Sequence, residues 1–263
     1  MDPLLNRVAG RELLAPAIAR IASEASGRFI GLFCGAADVF FMVEPGKGVL
    51  VDSRKPLIAF YEAVQREPDA VYEELQRLMK LSFSERTFNQ IRSKWNGKDF
   101  GVLFAAKLLY LNRSCAPGTF SVDQGQRFSA LWGGVSVPPG LPSLDDVRRA
   151  STVLKRVRLY TKDYAYVLRA ARKGDVIYVD APDWGVGISY GGALFSEASH
   201  VRLSRLLRKA SERGVSVLVS NIDCDAVQML YGGWADTEVF DGGRLLVSAI
   251  GSAMDRRQMS LFG

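Results

Sequence analysis

Histidine is almost absent. The 263 residues hold one, His200, which excludes a metal site built from several imidazoles and a relay passing through several histidines. Cysteine is scarce as well: Cys34, Cys115 and Cys224 are odd in number and widely spaced, which suits a reducing compartment better than a disulfide framework and matches no zinc-ligand spacing. There is no uncharged apolar run of about 18 residues that would span a bilayer, and the first residues lack a secretory-signal pattern. The expectation is a cytoplasmic protein, monomeric, with no metal and no membrane partner. What is present is ordinary for a globular chain: 48% hydrophobic and 24% charged residues, and enough length for one full α/β core plus an inserted lobe. A net charge of +6 favours a polyanionic partner, because Lys and Arg neutralise phosphates in a salt-dependent way.

The most informative stretch is Gly174-Asp175-Val176-Ile177-Tyr178-Val179-Asp180-Ala181-Pro182-Asp183-Trp184. A continuous apolar, β-branched run reads as a buried parallel strand, and the Ala-Pro pair ends it because proline cannot donate to a ladder. Asp180 then stands at a strand's carboxyl end, the edge where open α/β sheets bind ligands; it either serves chemistry there or caps a turn.

Helical spacing of Leu13, Leu14, Ala17, Ile18 and Ile21 predicts a helix over 11–26, with Gly27 past its end and Gly10 in a loop before it. Residues 28–33 predict a strand. The small-residue turn Cys34-Gly35-Ala36-Ala37 that follows leaves room for a nucleotide-like ligand. A second strand over 49–51 ends at Asp52, where a Rossmann-like sheet grips a ribose, or where an acid caps the helix starting near Pro56. Helices are expected over 57–65, 71–79 and 104–111, and a turn over 112–118. Residues 82–100, with Arg86, Asn89, Arg92, Lys94 and Trp95, read as polar, basic and aromatic rather than core. Residues 119–122 and 127–128 read as a hairpin, and the Gly/Pro-rich 133–142 as a boundary. A basic, aromatic middle region is the composition of a nucleic-acid-reading insert, or of a solvated lobe. The α/β pattern resumes with a helix over 143–150, a strand over 153–160, Asp163-Tyr164 opening a short helix, and the strand ending at Asp180. A Gly-rich loop from Trp184 to Ser196 is suited to closing over a substrate. His200 is expected as an exposed residue of the next helix, followed by a strand over 215–220 and a terminal hairpin near Val239 and 245–250.

Taken in order, Phe33-Cys34-Gly35-Ala36-Ala37, Asp52, Leu109-Tyr110-Leu111-Asn112-Arg113, Asp163-Tyr164, the Asp180 stretch and Val219-Ser220-Asn221 resemble the Dam-type, D12-class DNA adenine N6-methyltransferases over most of the chain. Ala9-Gly10-Arg11 resembles that family's Gly-Gly-Lys segment, with arginine for lysine. The resemblance implies a Rossmann-like methyltransferase sheet with helices on both faces, formed by 1–60 and 143–263, and an inserted target-recognition lobe over 61–142. It implies S-adenosylmethionine lined by Phe33, Gly35 and Ala37, with Asp52 on its ribose and Asp163 and Tyr164 at its adenine. It implies double-stranded DNA as partner, with Asn112 and Arg113 supporting the active site or the DNA, while Arg92, Lys94 and Arg127 are the DNA contacts expected from the basic, aromatic middle region. The flipped base would be held by Asp180, Ala181, Pro182 and Asp183, in a bacterial or phage-infected cell.

The sequence departs from the family where the base would sit. The family reads Asp-Pro-Pro followed by an aromatic; this chain reads Asp180-Ala181-Pro182-Asp183. Base stacking on an aromatic contributes about 1–3 kcal/mol, so its loss weakens capture roughly 5- to 150-fold unless replaced. Trp184 could supply a ring, or Asp183 a second acceptor. Ala37 stands where the cofactor loop usually has its second glycine. Three readings follow: a DNA methyltransferase acting on an exocyclic base amine, most simply adenine N6; a divergent relative performing another nucleobase modification or using another cofactor; and a catalytically silent DNA-binding protein.

Overall fold

The apolar runs around Ile30, Leu50, Ile177 and Leu218 become four neighbouring parallel strands in the computed structural model, which describes residues 1–6, 10–115, 127–134, 140–186, 189–190 and 193–251. Strands β1 (Phe29–Leu32), β2 (Gly48–Asp52) and β4 (Val176–Val179) are buried at every position, as continuous apolar runs require when both faces are covered. The full order is β3 (Val157–Thr161), β2, β1, β4, β7 (Ser216–Ile222), β9 (Arg244–Ala249), β8 (Asp236–Phe240). β9 runs antiparallel to both neighbours. From β1 the order steps one way to β2 and the other way to β4, so the topological switch point lies between the carboxyl ends of β1 and β4.

The chain divides into two units, Met1–Val8 with Arg54–Leu159, and Ala9–Ser53 with Tyr160–Gly263. In the second, Ile30, Val49, Ile177, Val217 and their like-facing neighbours share a core with Ala165 and Leu168 of α8 (Tyr164–Ala170), Leu203 and Leu207 of α9 (Glu197–Ser211) and Val227 of α10 (Asp225–Tyr231). The alternate positions Phe29 and Tyr178 turn the other way, where Phe29 meets Phe40 of α2 (Asp38–Val43) at 6.4 Å. α1 (Ala15–Ser23), which buries Ile18 and Ile21, packs against α2, so helices cover both faces. The loop expected to close over a substrate carries a two-strand ribbon, β5 (Ser189–Tyr190) and β6 (Ala193–Leu194). The terminal hairpin forms as expected, with β9 inside the sheet and β8 at its edge.

Asp175 fixes the entry to β4. Its carboxylate accepts the backbone N–H of Arg28 and Arg172 and both Nε and Nη2 of Arg28, the last at 2.7 Å. A Cβ at Gly27 would stand 2.7 Å from this carboxylate, so the close approach needs glycine.

The first unit is helical: α3 (Lys55–Arg66), α4 (Pro68–Met79), α5 (Glu85–Ser93), α6 (Val102–Ser114) and α7 (Leu144–Leu154), with α3 and α4 each packed on both α6 and α7. Three expectations are corrected here. Residues 82–100 are partly core: Phe88, Ile91 and Trp95, at i, i+3 and i+7, are buried, and Trp95 stacks on Phe104 at 5.1 Å. α6 continues through Asn112, Arg113 and Ser114, expected in a turn. α7 runs to Leu154, over the start of the expected strand, because the Ser143–Asp146 capping box starts it and Val147, Ala150 and Leu154 keep helical spacing. The expected 119–122 strand and residues 135–139 of the expected 133–142 boundary lie outside the described residues.

Candidate active site

The turn after β1 is the most contorted backbone near the switch point. Phe33 (φ 57), Gly35 (φ 48) and Ala37 (φ 53) all take the left-handed region within five residues. Only glycine does so without cost, and such strain persists where the surroundings enforce it, commonly at functional sites. Ala37 thus adopts the conformation expected of the glycine it replaces. Asp52, fully buried at the end of β2, accepts the Gly35 N–H at 3.2 Å. Its carboxylate ties the end of β2 to this turn.

The Phe33 ring packs at 5.2 Å from Tyr164 and at 5.4 Å, edge-on, from Phe195. Asp163 caps α8 by accepting the Ala165 N–H, and Arg202 lies 3.7 Å from its carboxylate and 5.3 Å from the Tyr164 ring centre. Burial pushes the Tyr164 phenol up, with the nearby Arg202 opposing.

Asp180 follows β4 and donates its backbone N–H to Leu32 of β1 at 3.4 Å, at the switch point. Its carboxylate is held from two sides. Arg11 Nε donates to Oδ1 at 3.0 Å and Oδ2 at 3.1 Å, and Ser220 Oγ donates to Oδ1 at 2.8 Å. Ser220 in turn accepts the Tyr178 hydroxyl at 3.1 Å. Burial, with the Asp180 charge adding to it, pushes the Tyr178 phenol far up, so it stays a donor. Burial works against the Arg11 charge, but Asp180 and then Asp183 outweigh it and hold the guanidinium above its ordinary range. Each carboxylate oxygen carries two lone pairs, so Oδ2, with one donor on it, can accept another.

Ala181 is buried and Pro182 half-buried, ending the strand. Asp183 accepts Arg244 Nη1 on both oxygens at 2.9 Å. Trp184 is tethered through its N–H to Asn221 Oδ1 at 3.0 Å, and its ring lies 5.1 Å from His200. The expectation for His200 is corrected: it is 3% exposed, lies between Trp184 and Phe195, and burial pushes its pKa down against the pull of Asp183. Its spacing with Leu203, Leu207 and Ala210 puts it on the buried face of α9, a signal present in the sequence.

The site thus gathers Phe33, Gly35, Ala37, Asp52, Asp163, Tyr164, Asp180 and Asp183 within the second unit. Arg11 and Ser220, in segments that the resemblance marked without giving them a role, and Arg244, which nothing marked, complete it as side-chain partners.

The other residues lie in the first unit. The Asn112 side chain is buried and accepts the Asn6 N–H at 2.6 Å, and Arg113 donates to the carbonyls of Leu4 and Pro3 at 2.7 Å; both anchor the segment near the N-terminus. Arg92 donates to the Ala130 carbonyl and lies over the Phe88 ring. Lys94 and Arg127 are exposed. Among the described residues there is no cluster of His, Cys, Asp or Glu able to hold a metal, and no helix long and apolar enough to cross a membrane.

A family model for D12 class N6 adenine-specific DNA methyltransferases matches residues 10–240. Among curated proteins, the chain is 28% identical over 210 residues to a DNA N-6-adenine-methyltransferase of Escherichia phage P1, covering 78% of this chain and 28% of that protein's length. It is 24% identical over 241 residues to a type II methyltransferase of Lactococcus lactis subsp. cremoris, covering 88% and 84%. It is 27% identical over 208 residues to a DNA adenine methylase of Vibrio cholerae serotype O1, covering 76% and 74%.

Proposed function

Because this chain belongs to the D12 class N6 adenine-specific DNA methyltransferase family, we propose that it transfers a methyl group from S-adenosylmethionine to the N6 amine of an adenine flipped out of double-stranded DNA. The observation that carries the reading is Asp180: a carboxylate at the switch point of the sheet, oriented by Arg11 and Ser220, with acceptor capacity left on Oδ2. The adenine amine is a poor nucleophile because its lone pair is delocalised into the ring. A fixed carboxylate taking one of its protons in a hydrogen bond localises that lone pair toward the incoming methyl group.

The residues around the β1 turn fit the cofactor in kind. Asp52 is a buried acceptor suited to ribose hydroxyls, the Phe33 and Tyr164 rings offer an apolar face, and the half-exposed Asp163 carboxylate suits an exocyclic amine. Bound there, S-adenosylmethionine supplies an electrophilic methyl group. The protein's own part is to hold Asp180 in one orientation and to keep water from the amine. Target recognition belongs in this reading to the lobe over 61–142, with Lys94, Arg92 and Arg127 on or near its surface. The working place is the cytoplasm of a bacterium or of an infected cell, and the working form a monomer.

A second reading, DNA binding without transfer, is favoured by one observation: Asp183 stands where the stacking ring should be, and the Trp184 ring is engaged with His200. Mass spectrometry of nucleosides from DNA incubated with the protein and S-adenosylmethionine decides between them. N6-methyldeoxyadenosine is expected, N4-methyldeoxycytidine would move the target to another amine, and no methylated nucleoside would reject transfer.

A further inference from the structure

We infer that Arg244 is a specificity-determining residue of the base pocket, donating from its Nε or Nη2 to the ring nitrogen that adjoins the exocyclic amine received by Asp180. The inference rests on the methyl-transfer reading for the identity of the pocket's guest. Its geometry stands separately. Arg244 opens β9, paired in register with Ile222 of β7 and Phe240 of β8. Its side chain is 8% exposed, and Nη1 alone is spent on Asp183. Among the described residues, Nε and Nη2 are buried with no hydrogen-bond partner, as is Nη1 of Arg11. Buried donors left unpaired are costly and rare, and they call for an acceptor that none of the described residues supplies.

Charge indicates what kind of acceptor. Arg11 and Arg244 are matched by Asp180 and Asp183, so these four groups sum to zero and offer no excess positive charge to a phosphate or carboxylate. The cluster instead alternates acceptors with donors, which is the pattern of a neutral base edge. The guanidinium is planar, and its Nε–H and one Nη2–H run parallel along one edge. Adenine presents an amine beside N1, and cytosine an amine beside N3. A base giving an amine proton to Asp180 therefore turns a ring acceptor toward a neighbouring donor.

Asp183 acquires a role in this arrangement: it fixes the Arg244 guanidinium and neutralises it, so an edge-on grip takes the place of the missing ring. Gly10 acquires one too. Its φ of 97 favours glycine in the loop that carries Arg11, and a Cβ there would just touch the Arg244 stem, 3.4 Å from Cγ.

The test uses free nucleosides and the whole protein, with binding read by saturation-transfer NMR and no methyl transfer measured. The wild type should bind 2′-deoxyadenosine about tenfold more tightly than its 1-deaza analogue, which keeps the amine and loses the adjoining acceptor. Deoxycytidine against its 3-deaza analogue puts the same question for the other base. Arg244→Met should abolish the preference. Arg244→Lys, which keeps a charge for Asp183 but lacks the Nε–H and Nη2–H donors, should abolish it as well while still binding the 1-deaza analogue as the wild type does, which sets it apart from a misfolded protein. A preference in either pair that both variants remove supports the inference. Equal binding within both pairs by the wild type, or a preference that survives in Arg244→Lys, overturns it. A protein that discriminates the nucleosides yet methylates no DNA would reject the transfer reading and leave Arg244 in place.

Discussion

With Arg11 on both of its oxygens and Ser220 on one, Asp180 is oriented before any substrate arrives. Asp180→Asn keeps the size of the side chain but cannot accept through both heteroatoms, so methyl transfer should fall by at least about 100-fold in a nucleoside assay. Ser220→Ala should lower kcat more than it raises KM, because it removes an orienting bond and no contact to DNA. His200 gives a pH signature. Burial depresses its folded pKa, so the stability associated with keeping it neutral is complete above about pH 6.5 and is lost as pH falls through the lower folded value. The melting temperature of the wild type should therefore drop more steeply on acidification below about pH 6.5 than that of His200→Phe, which cannot titrate.

β4 is framed by two acids with different duties. Asp175 at its start is closed on Arg28 and two backbone amides, whereas Asp180 at its end keeps an acceptor site. Asp175→Ala should cost about 3 kcal/mol in denaturant unfolding, since it strands a cation and two amide donors at the strand entry. Burial raises the Asp175 pKa, but Arg28 outweighs this and leaves it below the ordinary carboxylate range, so its contribution persists above about pH 4 and disappears only as pH falls through that lower value. At this scale the sequence was readable wherever a rule acts locally. The unbroken apolar run of β4, the proline that ends it and the small-residue turn after β1 marked the sheet and its binding edge. Local rules also mislead: basic residues around Phe88, Ile91 and Trp95 masked a buried helical stripe. The partners of the two pocket acids were not readable, because they are 169 residues away at Arg11 and 61 at Arg244, and no periodicity links such distances.

For the molecule as a whole, the +6 charge should make binding of duplex DNA salt-dependent, and Lys94→Glu should weaken affinity across sequences and flatten the salt slope by about one unit. Arg92→Glu should behave differently, lowering the melting temperature as well as affinity, because Arg92 also ties α5 to the Ala130 carbonyl. Filter binding over a salt series, read beside thermal melts, separates the two. The insertion of β9 between β7 and β8 sets the order in which this molecule matures. A nascent chain leaving the ribosome has Arg11, Asp180 and Asp183 long before residue 244 is made. Until then the place between β7 and β8 is unfilled, and Asp183 lacks the Arg244 donor that both its oxygens share in the folded protein. The ion pair that fixes Arg244 can therefore form only after β9 has been made and has taken its place beside β7.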